Sequence, residues 1–195
     1  MIVDERIITF INSMDTENSE ILETIEQEAL AADVPIIRRE MQSFLEVLLL
    51  MKKPMRVLEV GTAVGFSALL MSDYLPEGGH ITTIENYEKR IPIARENFRR
   101  AGKEDKITLI EGDATEVLAE MEGTFDFIFM DPPYRMDLPK KVLEALRDTS
   151  LADEETLIIV EEALDTDFSW AGALGYEIEK SKEYKTNKHV FLRKN

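Results

Sequence analysis

Cysteine is absent from this chain of 195 residues, and only two histidines occur. Disulfides and thiolate-metal sites are therefore excluded, and a reducing compartment suits the chain. No apolar run approaches the roughly 20 residues that a membrane-spanning helix needs, and the first residues, MIVDERIITF, carry acids in place of a basic leader. We therefore expect a soluble, cytoplasmic protein with no membrane partner.

Basic side chains are scarce: 23 lysines and arginines face 39 aspartates and glutamates, a formal net charge of −16. This balance argues against nonspecific attraction to nucleic acid, because lysine and arginine drive phosphate binding. A local basic patch is still open, since bases cluster between residues 89 and 103 and again in the last 16 residues. The length suits one domain, which we expect to consist of a helical cap over residues 1–52 and a core over 53–195.

Apolar periodicity predicts helices first and then an alternation of strands and helices. Helical spacing covers the regions near 4–13, 18–32, 36–51, 65–75, 87–101, 114–121, 137–147 and 167–174. Short apolar runs predict strands at 55–60, 80–85, 106–111, 125–130 and 156–161. The alternation implies a parallel α/β sheet with right-handed crossovers. The last two runs, YEIEKSKEY and KHVFLR, predict an antiparallel hairpin at the sheet edge.

The carboxyl ends of the strands are the places to search for a ligand site in such a sheet. After the first strand comes EVGTAVGFS, in which Gly61 and Gly65 allow a tight turn and a close backbone approach. The helix that follows offers unpaired N–H groups to an anionic group. A glycine pair of this kind is equally compatible with a simple packing turn.

Acidic residues stand at three successive strand ends, namely Glu59, Glu85 and Asp113. Glu85 lies about twenty residues beyond Gly65, the distance at which an acid accepts the two hydroxyls of a ribose. Carboxylates prefer solvent or partners, so stability alone does not explain this pattern. The arrangement therefore indicates a binding site for a nucleoside-containing molecule.

Four segments in this order and spacing resemble class I S-adenosylmethionine-dependent methyltransferases, which are Rossmann-like: VLEVGTAVGFS, TIEN, EGDA and FDFIFMDPP. The resemblance implies S-adenosylmethionine as cofactor, with the loop 61–65 and Ser67 holding its methionine part, Glu85 its ribose, and Asp113 with Ala114 its adenine. The cofactor positions carried over are Glu59, Gly61, Thr62, Ala63, Gly65, Ser67, Glu85, Asn86, Asp113, Ala114 and Asp131. A nicotinamide-dependent oxidoreductase is disfavoured, because the extra glycine and the basic pocket for a pyrophosphate are missing.

Two different families are resembled along the chain. Residues 1 to about 130 resemble cation-dependent O-methyltransferases of the catechol, caffeoyl-CoA and tRNA hydroxyuridine type, a parentage that suggests a homodimer. Residues from about 126 to 195 resemble bacterial small-subunit ribosomal RNA guanine methyltransferases, although the usual N-terminal arginine- and threonine-containing segment of that family is missing. A chain recombined from two related folds would explain both resemblances.

The segment DPPY after the fourth strand carries the prediction of the methyl acceptor. Resemblance to amino-methyltransferases implies that the Asp131 carboxylate and the Pro132 carbonyl accept the hydrogens of an exocyclic amine, while Tyr134 stacks on the base. Aromatic stacking is a familiar way to hold an extruded nucleotide. We therefore predict methyl transfer to an amino group of an RNA base, with a rigid turn as the structural alternative.

Two alternatives remain open at the sequence level. In the first, a divalent cation such as Mg²⁺ lowers the pKa of an acceptor hydroxyl on a catechol-like molecule or a tRNA hydroxyuridine. Asp131, Glu161 and Glu162 could supply hard oxygen ligands. We favour no metal site, because the glutamates replace the aspartate-asparagine pair of the resembled family. In the second, the chain binds cofactor without turning over any acceptor.

Overall fold

A computed structural model of the chain describes residues 18–134 and 136–195, so the helix expected near 4–13 lies outside the described residues. The α-helices of the described part are α1 (Glu20–Ala31), α2 (Arg39–Lys52), α3 (Phe66–Asp73), α4 (Ile91–Arg100), α5 (Ala114–Glu120) and α6 (Leu138–Arg147). The strands are β1 (Arg56–Val60), β2 (His80–Glu85), β3 (Ile107–Glu111), β4 (Phe127–Met130), β5 (Leu157–Ala163), β6 (Tyr176–Glu183) and β7 (Asn187–Lys194). Within the same ranges, none of the helices combines the length and the apolarity needed to cross a bilayer.

All seven strands form a single sheet in the order β3-β2-β1-β4-β5-β7-β6. The first five strands pair in parallel, whereas β7 runs antiparallel between β5 and β6. This confirms the predicted mostly parallel Rossmann-like sheet with its carboxyl-terminal hairpin. Val60 of β1 lies beside Ile84 of β2 and Met130 of β4, so these strands end at one level. The strand order reverses between β1 and β4, where open α/β sheets bind their ligands.

Separate apolar cores cover the two faces of the sheet. Helices α1 to α4 pack on the first face, and α5 and α6 pack on the second. Along β5, Ile159 belongs to the first core and Val160 to the second. Side chains alternate between faces along a strand, so Glu161 must point to the first face and Glu162 to the second.

The helix predicted over 167–174 is wrong, since only a short 3₁₀ turn, Gly172–Leu174, forms there. Local side-chain bonds explain the difference. The Asp167 carboxylate accepts a 2.9 Å hydrogen bond from the backbone N–H of Ser169, and the Asp167 carbonyl accepts the indole N–H of Trp170 at 2.7 Å. Such bonds offer the backbone an alternative to a helix and favour turns.

Candidate active site

A cavity of about 780 Å³ lies outside the carboxyl ends of the central strands. Its volume falls in the range of roughly 300–1,000 Å³ that is typical of small-molecule and cofactor sites. The residues predicted for the site that line it are Gly61, Ala63, Glu85, Asn86, Asp113, Ala114, Asp131, Pro132, Tyr134 and Glu161. The structure therefore brings seven of the eleven predicted cofactor residues and the DPPY segment to one cavity, whereas Glu59, Thr62, Gly65 and Ser67 do not line it.

The loop 61–65 between β1 and α3 requires glycine at both ends. Gly61 and Gly65 have φ values of +101° and +85°, which strain any residue with a side chain. A Cβ atom on Gly65 would also lie 2.5 Å from the Phe98 ring of α4. The N–H of Gly61 donates to the Ile84 carbonyl at 3.0 Å, which holds the loop against the end of β2.

Glu85 connects the end of β2 to this loop. Its Oε2 accepts a 2.7 Å hydrogen bond from the backbone N–H of Ala63. Its Oε1 accepts the N–H groups of Asn86 and Tyr87 at 3.0 Å and 2.8 Å. The carboxylate is buried, yet it lines the cavity. It is therefore a fixed acceptor group at the cavity wall, in the position predicted for a ribose contact.

Asp113 begins helix α5 and also faces the cavity. Its Oδ1 accepts the hydroxyl of Thr115 at 2.5 Å and the N–H of Thr115 at 2.9 Å. These hydrogen bonds from Thr115 hold the pKa of the Asp113 carboxyl below its usual range. Asp113 thus caps the helix and presents an ionised carboxylate to the cavity.

A buried polar network lies behind the glycine loop and outside the cavity lining. Both oxygens of Glu59 accept hydroxyls, one from Ser67 and one from Thr83 at 2.5 Å. The Thr62 hydroxyl joins the network at 2.6 Å from that of Thr83. Burial raises the pKa of Glu59 to about 7 although these hydroxyls oppose the shift. Glu59, Thr62 and Ser67 therefore support the loop from behind, and the polar Thr83 next to Ile84 in strand β2 was the sequence signal for this network.

The segment after β4 forms the other end of the cavity. Asp131, Pro132 and Tyr134 all line it, and the Tyr134 hydroxyl donates to Oε1 of Glu161 at 2.7 Å. Burial, together with the charges of Glu161 and Glu59, raises the pKa of Asp131 to about 8. Burial and the bond to Glu161 also raise the pKa of the Tyr134 phenol.

Glu161 is held by residues that the motifs did not reveal. It accepts the Asn187 side-chain amide and Nε2 of His189, the latter at 3.1 Å, in addition to the Tyr134 hydroxyl. Burial on its own would raise the pKa of Glu161, but the hydrogen bonds from His189 and Tyr134 outweigh it and hold that pKa below its usual range. The predicted hairpin was the available signal, because the antiparallel register places His189 directly opposite Glu161.

The segment before α2 also lines the cavity, through Pro35, Ile36, Ile37 and Arg38. These residues were not predicted as site residues. The segment between α1 and α2 therefore forms part of the cavity wall.

Residues 12–158 match the protein family described as O-methyltransferase. The chain belongs to the O-methyltransferase family. The match runs through residue 158 and so crosses the join predicted near residues 126–130. It gives no support to a second, ribosomal RNA methyltransferase family in residues 126–195 or to a recombined chain.

Two curated relatives illustrate the similarity of this family member to known O-methyltransferases. The catechol O-methyltransferase of Niastella koreensis is 30% identical over 131 residues, which cover 58% of this chain and 59% of the relative. The caffeoyl-CoA O-methyltransferase of Populus kitakamiensis is 38% identical over 93 residues, which cover 45% of this chain and 40% of the relative. The chain thus spans about two to three fifths of the length of these relatives.

Solved structures agree on the fold. The O-methyltransferase from Bacillus cereus in complex with SAH superposes with a TM-score of 0.76 at 21% identity, covering 95% of this chain and 96% of the other. SAH-bound Podospora anserina methyltransferase PaMTH1 gives a TM-score of 0.79 at 20% identity, covering 98% and 94%. At these identities the likeness establishes the Rossmann-like methyltransferase fold of this family member.

The ligand set considered for a divalent cation is not assembled in this O-methyltransferase family member. Asp131 and Glu161 line the cavity, but Glu162 points to the opposite face of the sheet and accepts the N–H of Ala163 at 3.0 Å. Among residues 18–134 and 136–195, no cluster of three or more histidine, aspartate or glutamate side chains could hold a metal ion. The described residues therefore do not fit the cation that the family resemblance implied.

Proposed function

We propose that the chain is an S-adenosylmethionine-dependent O-methyltransferase that acts on a small hydroxylated acceptor of the catechol type. The observation that carries the proposal is the cavity in which the glycine loop, Glu85 and Asp113 meet the segment after β4. Family membership supports oxygen as the methylated atom, and the neighbours from Bacillus cereus and Streptomyces achromogenes, described as complexes with SAH and SAM, support the cofactor. The comparisons favour this alternative over the RNA amine that we predicted first.

Each part of the cofactor has a matching group in the cavity. Gly61 and Ala63, which line the cavity, would let the methionine part approach the backbone, Glu85 would accept the ribose hydroxyls, and Asp113 with Ala114 would border the adenine. The bound cofactor supplies an electrophilic methyl group on a sulfonium. The chain in turn favours a cationic ligand, because the charges of Glu161, Glu59 and Glu162 add to burial in raising the pKa of Asp131. A positive ligand relieves that repulsion, whereas a pyrophosphate would increase it.

Asp131 is placed to receive the proton of the acceptor hydroxyl. With the cofactor bound, the acceptor oxygen would form the new C–O bond to the methyl group, the C–S bond would break with its electron pair on sulfur, and the hydroxyl proton would pass to the Asp131 carboxylate. Such a transfer depends chiefly on alignment of the acceptor, which the walls formed by Pro132 and Tyr134 restrict. A base whose pKa lies near the working pH is efficient, and burial brings the pKa of Asp131 to about 8.

An amino group of an RNA base is the second candidate acceptor. Asp131, Pro132 and Tyr134 line one end of the cavity together, as that reaction requires. The exposed ring of Tyr134 offers a stacking surface.

The homodimer suggested by the family resemblance likewise stays a proposal, and light scattering on the full chain tests it.

Calorimetry with S-adenosylmethionine and S-adenosylhomocysteine tests the cofactor part of the proposal. We expect saturable binding of both. Transfer of a radiolabelled methyl group to catechol, or separately to RNA, then distinguishes the acceptors. Label on catechol supports the proposal, label on RNA alone supports the second candidate, and binding without any transfer supports a cofactor-binding scaffold. Absence of binding contradicts the whole proposal.

A further inference from the structure

We propose that the acceptor end of the cavity works without a divalent cation and that Glu161 anchors Tyr134 instead of binding a metal. The functional meaning of this inference rests on the proposed methyl transfer. Whether the protein has a cation site, however, does not depend on that function, because metal binding can be measured without methyl transfer.

The first argument is that side-chain donors already occupy the Glu161 carboxylate. Oε1 accepts the Tyr134 hydroxyl at 2.7 Å and the Asn187 amide, and Oε2 accepts Nε2 of His189 at 3.1 Å. A carboxylate only accepts hydrogen bonds, so each partner directs a proton toward it. A cation bound at Glu161 would meet these positive ends and would have to displace buried donors, which is costly when they are left unsatisfied.

The second argument concerns the neighbouring acids. Mg²⁺ requires near-octahedral oxygen coordination and usually takes one or two carboxylates with free oxygens. Both oxygens of Glu59 accept hydroxyls from Ser67 and Thr83. Of the three acids considered for the cation, Glu161 already accepts three side-chain donors and Glu162 lies on the other face of β5, which leaves Asp131 as a single carboxylate ligand.

The third argument is that the cluster around Glu161 is built into the fold. Asn187 and His189 are buried residues of β7, and the antiparallel register fixes them beside β5. The rings of Phe44 from α2 and of Tyr184 flank the His189 ring, with centroids 6.1 Å and 4.6 Å away. In the described part of the chain, Nδ1 of His189 has no hydrogen-bond partner. The hydrogen bonding of this imidazole is therefore directed at Glu161 alone.

The consequence is a fixed wall at the acceptor end. Glu161 receives its position from Asn187 and His189 and passes it to the Tyr134 hydroxyl. The Tyr134 ring then has one preferred place at the cavity wall, although the residue is partly exposed to solvent. Glu161, Asn187 and His189 are thus positioning residues, whereas Tyr134 borders the acceptor itself.

Titration of the full chain with Mn²⁺, followed by electron paramagnetic resonance, tests the cation part. We expect no saturable binding at millimolar Mn²⁺, with or without S-adenosylhomocysteine, and an unchanged affinity for S-adenosylhomocysteine when EDTA is added. One Mn²⁺ bound per chain, and lost in Asp131→Asn, would overturn the inference. If the proposed function fails and no cofactor binds, the Mn²⁺ titration of the free protein still decides the matter.

Ultraviolet titration of the tyrosines tests the anchor. The difference between the wild-type protein and Tyr134→Phe isolates one phenol, which we expect to ionise above the usual range. In Glu161→Gln that phenol should ionise at lower pH, because the neighbouring charge is gone. An unchanged titration in a folded Glu161→Gln protein would contradict the anchor. Since Tyr134 is partly exposed, Tyr134→Phe is expected to fold. If the Tyr134 phenol of the wild-type protein has an ordinary pKa, that result alone contradicts the anchor, even if Glu161→Gln does not fold.

Discussion

Glu85 and Ala63 are joined by a 2.7 Å hydrogen bond from the backbone N–H of the alanine to Oε2 of the glutamate. The bond connects the end of β2 to the glycine loop that follows β1. One carboxylate thereby shapes the loop and also faces the cavity. Because Glu85 both holds the loop and lines the cavity, we expect its substitution to weaken ligand binding as well as to destabilise the fold.

Replacement of Glu85 by alanine is expected to weaken S-adenosylmethionine binding about tenfold to a hundredfold. Hydrogen bonds to a charged group contribute roughly 1.5–3 kcal/mol, and about 1.4 kcal/mol corresponds to a factor of ten. Calorimetry measures the change. Glu111→Ala is the matched control, because Glu111 ends the neighbouring strand β3 but pairs with Arg95 at the surface. Equal affinities of the two variants would argue against a ribose contact at Glu85.

Gly65→Ala is expected to destabilise the protein more than Gly175→Ala does. Both glycines have similar backbone angles, with φ values of +85° and +83°, and an alanine in that region costs roughly 1–2 kcal/mol. Only at Gly65 would the new Cβ also lie 2.5 Å from the Phe98 ring, since nothing lies within 4 Å at Gly175. Thermal unfolding followed by circular dichroism measures the difference. An equal loss in the two variants would show that the Phe98 ring moves aside at no cost.

The mostly parallel sheet and the acids at the strand ends could be predicted because they depend on local patterns. Short apolar runs alternating with helical spacing lead to a parallel sheet, and each strand end then has a known level. Glu85 and Asp113 were therefore expected at one edge of the sheet, where the structure places them. The Ser67 hydroxyl was expected at the cofactor, but its direction depends on the buried Glu59 that accepts it.

The predicted hairpin did not identify the partners of Glu161, because they are distant in the chain and its register against β5 was not predicted. Asn187 and His189 lie 26 and 28 residues after Glu161. Only the register of the β5–β7 pair decides which residues meet, and a shift of one residue would turn His189 to the other face. The helix predicted near 167–174 failed for a related reason, since the bonds made by Asp167 compete with the helical pattern.

The methyl-transfer rate is expected to rise with pH through a midpoint at or below about 8, because the bound sulfonium lowers the pKa of Asp131 from its value in the free protein. The Asp131 carboxyl must be ionised to accept a proton, and burial raises its pKa to about 8. Below the midpoint the rate should fall about tenfold per pH unit, and Asp131→Asn should lower kcat roughly 10²–10⁴-fold above it and by less at lower pH, where the wild-type carboxyl is protonated. Steady-state kinetics with catechol at saturating S-adenosylmethionine measure both effects. A pH profile that stays flat between 6 and 9 would exclude Asp131 as the base.

Stability should show the opposite pH trend at the same residue. The folded-state pKa of Asp131 is about 8, above the usual 3.8 of an aspartate, so the folded chain binds this proton more tightly than the unfolded chain does. Linkage then requires the contribution of Asp131 to stability to be fully present below about pH 4 and to be lost as pH rises toward 8.

Asp131→Asn removes this titration, because an amide stays neutral throughout the range. We expect the variant to be more stable than the wild-type protein at pH 9 and to lose that advantage by pH 5. Urea unfolding at the two pH values measures the difference, with Glu111→Gln as a control for an exposed acid. A stability difference that does not depend on pH would mean that Asp131 is ionised in the folded protein across the whole range. The same acid would then fail as the source of the rate midpoint.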